Sequence, residues 1–182
     1  KIFDKFLHLT SLDIQKYFSK LKVKINCVAC GKVGKFSFKK KNFSYHECSN
    51  CRTLFFTPRP KEKAFLNYYT NSSSIKFLAS TLYKKTKEMR RKKIFQPRAK
   101  MISKILKKNK IKNCSCVDIG GGYGIFAEEI SKFLKNKVVV IEPSPSLAKE
   151  CKKKKLKVIP SFLETVKKED LPENKKVFTC FE

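Results

Sequence analysis

Apolar positions in the first 26 residues fall at Phe3, Phe6, Leu7, Ile14, Tyr17, Phe18 and Leu21. That spacing predicts a helical arm with one face packed on the rest of the chain. Between 27 and 60 the period changes. Short alternating runs such as KFSFKKKNFSYHEC, bounded by Cys, Gly and a closing TPRP, predict small β-hairpins. Pro58 and Pro60 make a stiff exit. Residues 61–110 return to a helical pattern, a connector or lid, interrupted at TNSSS (70–74), which reads as a loop by composition. In QPRAKMISKILKK, Pro97 suits a first helical turn, and Ala99, Ile102, Ile105 and Leu106 form an apolar stripe.

From 111 onward apolar runs and amphipathic runs alternate. CSCVDIG, KVVVIEP, LKVIPS and KVFTCFE predict four strands. GIFAEEISKFLKN and SPSLAKECKKKK predict the helices between them, the second with Pro145 near its start. Strands alternating with helices imply a parallel sheet with right-handed crossovers. The fold class is therefore α/β. The expected organisation is a helical arm (1–26), a small ribbon (27–60), a helical connector (61–110) and a doubly wound half-domain (111–182). No internal repeat is visible.

The net charge of +28 points at first to nucleic acid or an anionic surface. Arginine, however, stands only at 52, 59, 90, 91 and 98, so 38 of the 43 basic residues are lysine. Nucleic-acid readers favour arginine for its bidentate fork. Lysines spread over the whole chain suit compositional drift better than one binding face. The ribbon also lacks the arginine cluster and interleaved aromatics that RNA would call for. A nucleic-acid partner is therefore not favoured. No apolar run approaches the roughly 20 residues of a membrane span. The chain opens on Lys1 and stops inside an apolar run, so it reads as an internal fragment of a longer protein.

Eight cysteines change the picture further. Cys114, Cys116, Cys151 and Cys180 lie in or beside apolar segments without pair spacing. The other four form Cys27-x-x-Cys30-Gly31 and Cys48-x-x-Cys51, with 17 residues between the pairs. This is not a disulfide framework, and it implies a reducing compartment, the cytoplasm. Two short knuckles of two thiolates each close a tetrahedron around Zn²⁺. Gly31 follows its knuckle where a tight turn needs positive φ. Four protein ligands make the metal structural, not catalytic. The alternatives are four free thiols, a redox pair without its strand–helix context, or His46 replacing one cysteine. His46 is otherwise an ordinary strand residue, and His8 has no assigned role.

The stretch VDIGGGYGIFAEEI carries four glycines in five positions. Gly122-Tyr123-Gly124-Ile125-Phe126-Ala127 satisfies G-x-G-x-x-A, a pattern that is weak alone. Asp118 discriminates between ligands. A dinucleotide would bring a pyrophosphate to this turn, where a fixed carboxylate repels it. S-adenosylmethionine (SAM) has no phosphate and carries an ammonium and a sulfonium, which an acid favours. Glu142, 24 residues after Asp118, ends the second strand and is placed to accept from ribose hydroxyls of either ligand. Ser161 and Phe162 follow the third strand, where such a pair flanks an adenine ring; simple core packing is the other reading of Phe162. Lys152–Lys155 reads as a solvated helix end.

VDIGGGYG with VVVIEPS resembles motif I and the following acidic strand end of class I SAM-dependent methyltransferases, over roughly 111–182. The upstream CVACG, CSNC and PRP resemble the N-terminal zinc-binding segment of some bacterial members, including sugar and polysaccharide-biosynthesis methyltransferases; this extends the likeness to 27–182. The resemblance implies a Rossmann-like domain. It implies that Asp118 holds the methionine amino group, that Gly120, Gly122 and Gly124 let backbone approach the ligand, and that Glu142 binds ribose. Tyr68 and Tyr69 stand where relatives have an aromatic segment that closes over the cofactor; a buried helix face is the alternative. Relatives continue from the position of Glu182 into an acidic–His pair. A member has seven strands and four are here, so the fragment alone is expected to be poorly stable and catalytically weak. No catalytic base is nameable. The implied function is methyl transfer to a small-molecule acceptor, a sugar or polysaccharide intermediate. An RNA methyltransferase, a non-catalytic zinc-ribbon scaffold and a dehydrogenase are the alternatives.

Overall fold

A computed structural model describes residues 1–20, 22–134 and 138–181. Leu21, Lys135 and Asn136 of the predicted helix GIFAEEISKFLKN, Lys137 of the predicted strand KVVVIEP, and Glu182 lie outside the described residues. The chain forms two compact units, Thr10–Tyr68 and Lys1–Leu9 with Tyr69–Glu182.

The N-terminal pattern forms one helix, α1 (Ile2–Phe18). In the smaller unit, β1 (Lys22–Val23) pairs with β5 (Arg59–Pro60), and β2 (Gly34–Lys40), β3 (Phe43–Cys48) and β4 (Leu54–Phe56) form an antiparallel ribbon. The β2–β3 connection is the two-residue turn Lys41–Asn42, both at positive φ, which matches the twist of the hairpin. A register shift between Phe36 and Phe38 puts Phe38 opposite Tyr45. Phe38 and Tyr45 stack at 4.8 Å, and Phe56 contacts both Tyr45 and Phe43. The expectation of a ribbon without interleaved aromatics is thus corrected. Alternation and the tight turn gather four rings on one face, and Lys22 Nζ lies 5.7 Å from the Phe43 ring centroid.

The larger unit holds a four-stranded parallel sheet: β6 (Ser115–Ile119), β7 (Val138–Ile141), β8 (Lys157–Ile159) and β9 (Lys176–Cys180), in the order β8-β7-β6-β9. β7 is buried throughout, as expected for a central strand covered on both faces. Helices α6 (Ile125–Ser131) and α7 (Pro145–Lys153) make the crossovers. Ser144 caps α7 by accepting from the Leu147 amide, with Pro145 in the first turn. The core joins Cys116, Val138 and Val140 of the sheet to Phe126, Ala127 and Ile130 of α6, with Ala99 and Cys151.

Residues 61–110 are helical, with one correction. TNSSS is not a loop: Asn71 ends α2 (Glu62–Asn71), and the fully buried Ser72 caps α3 (Ser73–Phe77) through the Ile75 amide. Serine serves turns and helix starts by the same side-chain acceptor, so composition alone does not separate them. Two π-helical turns, Leu78–Leu82 and Arg91–Phe95, flank α4 (Tyr83–Arg90), and α5 (Gln96–Lys108) follows with Pro97 in its first turn. Arg91 joins this layer to α6. Its guanidinium pairs with Glu128 at 2.9 Å, with Glu129, and with Glu88 at 3.5 Å. The run Lys152–Lys155 is solvated except at Lys154, a second correction. Lys154 Nζ lies 3.7 Å from the Tyr123 ring centroid and donates to the Tyr123 carbonyl, a contact that reverses the usual preference of lysine for water.

Candidate functional site

In the ribbon unit, Cys27, Cys30, Cys48 and Cys51 bring their Sγ atoms within 4.8 Å of one another. Cys27–Cys51 and Cys30–Cys48 lie 3.6 and 3.5 Å apart. A tetrahedron with metal–sulfur bonds near 2.3 Å has edges of about 3.8 Å, so the donor set fits zinc. Backbone geometry builds both knuckles: Gly31 donates to the Cys27 carbonyl and Arg52 to the Cys48 carbonyl. Gly31 has φ 74°, as its position after the knuckle predicts, and Arg52 adopts 62° at the matching place. The Thr53 hydroxyl and amide bring the Cys51 thiol down to about 6, while Cys30, against the Lys32 amide, is pushed up to about 11 by the Cys51 and Cys48 thiols crowded beside it. His46 stands outside this cluster, edge-on to Phe36.

In the larger unit, a cavity of about 530 Å³ opens at the carboxyl ends of the strands. Ligands of open α/β sheets bind there, where the strand order reverses. The order β8-β7-β6-β9 reverses at β6, and the glycine turn leaves the end of that strand. Asp118, Gly120 and Gly122 after or at the end of β6, Glu142 after β7, and Ser161 and Phe162 after β8 all line the cavity. Gly124 stands behind it. A Cβ there would meet Cys151 Sγ at 2.8 Å, so this glycine permits helix α6 to close on α7.

Asp118 is 2% exposed. Its Oδ1 accepts from the Thr179 hydroxyl at 2.8 Å, across the β6–β9 register that sets the two residues side by side. Burial pushes the Asp118 carboxyl up to about 7, the Thr179 bond opposes this, and the Glu142 charge adds to it. Glu142 is also buried and also raised, by desolvation first, against the two backbone donors it accepts from. Those donors are the Gly122 amide on Oε2 and the Ser144 amide on Oε1, each at 2.8 Å. Glu142 thereby ties the glycine turn to the end of β7. Each carboxylate oxygen retains a second acceptor position. The structure also shows a glycine constraint at Gly121, where a Cβ would meet Val140 Cγ1 at 2.6 Å and Asp118 Oδ2 at 2.8 Å.

Phe162 and Tyr69 meet edge to face at 5.8 Å on the cavity wall. Tyr68 belongs to the smaller unit, where its ring packs on Phe18 at 5.1 Å and on Tyr17 at 6.1 Å. The helical layer adds residues that sequence reasoning passed over: Tyr83, Arg90 and Phe95, with Phe181 after β9. One signal pointed at them. In a chain with 43 basic residues and five arginines, two arginines stand together at 90 and 91.

No protein-family profile and no curated protein sequence matches the chain. Solved structures do. DesVI of Streptomyces venezuelae is 16% identical, with a TM-score of 0.39 over 44% of this chain and 35% of that one. A Methanococcus maripaludis candidate S-adenosyl-L-methionine-dependent methyltransferase is 18% identical, with a TM-score of 0.37 over 45% and 42%. The plantazolicin methyltransferase BpumL, solved with SAH, is 20% identical, with a TM-score of 0.42 over 57% and 40%. The chain thus spans well under half the length of each. Among the described residues, no helix is long and apolar enough to cross a membrane.

Proposed function

We propose that the larger unit binds SAM for methyl transfer to a small-molecule acceptor, a sugar or cell-surface polysaccharide intermediate. One observation carries the cofactor assignment: two buried carboxyls, Asp118 and Glu142, share a cavity with the glycine turn. An acid pair suits an ammonium and ribose hydroxyls and repels a pyrophosphate. Bound SAM supplies a methyl group already activated on a sulfonium. The chain's part is binding and alignment. Asp118 receives the ammonium, Glu142 the ribose hydroxyls, and Ser161 and Phe162 flank the adenine. Tyr69, edge-on to Phe162 on the cavity wall, covers the cofactor from the same side. The acceptor class rests on the resemblance of the cysteine segment. In this reading Cys27, Cys30, Cys48 and Cys51 hold a structural zinc, and unpaired thiolates of this kind favour a reducing compartment, the cytoplasm. Thermal unfolding with saturating SAM or NAD tests the cofactor. Protection by SAM alone supports it, and protection by NAD alone would replace it with a dehydrogenase.

A second reading, RNA methylation, is favoured by the ring ladder Phe38–Tyr45–Phe56–Phe43 among lysines. Stacked aromatics beside cations are how single strands are gripped. Filter retention of RNA that survives about 0.2 M salt and falls on Phe38→Ala supports this reading; retention lost by that salt, with no change in the variant, removes it.

A further inference from the structure

Arg90 and Arg91 are neighbours with opposite circumstances. Arg91 is engaged by three carboxylates. Arg90 lines the cavity and, among the described residues, makes no ion pair; its Nε is buried without any hydrogen-bond partner. A buried donor with no acceptor is costly, so native structures rarely keep one without a use. Nor is the side chain loose. Its guanidinium carbon sits 4.2 Å above the Tyr83 ring and 5.4 Å from the Phe95 ring. Tyr83 lies seven residues earlier, on the same face of α4, and the two rings hold the cation in place.

The cavity is polarised as a result. Its sheet side carries Asp118 and Glu142, and its helical side carries Arg90. Neither acid answers the arginine: Asp118 accepts from Thr179, and Glu142 from Gly122 and Ser144. The platform under Arg90 also leans on the glycine turn, since Tyr83 Cε2 lies 3.8 Å from a Cβ built on Gly122 and its ring meets Tyr123 edge-on at 6.0 Å. A ligand group at this turn with both charges close together would satisfy the two sides at once. The amino-acid end of SAM is such a zwitterion. We infer that Arg90 binds the carboxylate at the methionine end of the cofactor, opposite the ammonium on Asp118. This rests on the SAM reading of the same cavity. Arginine suits the task by its planar fork, and in a chain that otherwise uses lysine its retention here has a geometric reason.

The test uses two probes that differ only in that carboxylate: S-adenosylhomocysteine and its decarboxylated counterpart. Binding of each is measured by calorimetry to the whole chain, to Arg90→Met, which keeps the apolar stem, and to Arg90→Lys. The wild-type chain should prefer the carboxylated probe by about 10- to 100-fold, the range for a charge-assisted pair. Arg90→Met should abolish that preference while leaving the decarboxylated probe nearly unaffected, and Arg90→Lys should keep part of it. The unliganded melting temperature of Arg90→Met should be nearly unchanged, because removal of the unanswered donor offsets loss of the two ring contacts. An undiminished preference in Arg90→Met, or equal weakening of both probes, overturns the assignment and leaves the SAM site standing. If Arg90→Met does not fold, loss of preference in Arg90→Lys decides. A wild-type chain that binds neither probe overturns the cavity reading and the inference together.

Discussion

Asp118 is the residue whose chemistry has the widest consequences. A carboxyl that titrates near 7 must release its proton to meet a cation. Affinity for SAM or S-adenosylhomocysteine should therefore rise with pH up to about 7 and then level. Binding below that pH should release a proton, visible as a dependence of calorimetric enthalpy on buffer ionisation. The unliganded protein behaves in the opposite sense. Its raised carboxyl favours the folded state when protonated, so that contribution is fully present below about 4 and is lost as pH rises through about 7. Asp118→Asn should flatten both trends at this group, with Glu142 still held by its two amides. Asp118→Ala should weaken SAM binding by about 1.5–3 kcal/mol, the scale of a hydrogen bond to a charged group. Unchanged affinity would remove Asp118 from the site. Gly121→Ala should destabilise the fold by about 1–3 kcal/mol through overpacking against Val140 and the Asp118 carboxyl. A melting temperature equal to wild type would contradict that geometry.

Among the elements, the helical layer and the ribbon make separate claims. Arg91 anchors the layer to α6, and Glu129 opposite it is buried. Arg91→Met should lower stability by about 1–3 kcal/mol by leaving that buried carboxylate with Lys132 as its remaining cation, read as a fall in denaturation midpoint. In the ribbon, metal analysis should find about one zinc per chain, and Cys27→Ser with Cys48→Ser should lose it. Full zinc in that double variant would sink the four-thiolate site. How far such features could be read from residues alone differs by element. The strand–glycine–helix unit at 115–131 was legible because a buried run, a turn and a 3.6-residue period adjoin in sequence. The cysteine pairs were legible because ligand spacing is local. Tyr83, Arg90 and Phe95 were not, because the π-helical turns at 78–82 and 91–95 shift the phase of the helix face. Thr179 was hidden for another reason. It reaches Asp118 only through parallel strand register, 61 residues along the chain.

For the whole molecule, +28 charges on 182 residues ensure weak adhesion to any polyanion at low salt, so binding to nucleic acid carries meaning only where it resists salt. The cavity draws on turns after all four parallel strands, so no single segment holds it, yet one side chain fastens its centre. Glu142 accepts from the amides of Gly122 and Ser144 and so ties the turn to the end of β7. A turn already fastened has little conformational freedom left to surrender, so capture of a ligand should proceed with a small entropy loss at the loop and without a slow ordering step. The Gly122 amide should accordingly resist deuterium exchange in the unliganded protein, and Glu142→Ala should expose it to solvent as the turn comes loose.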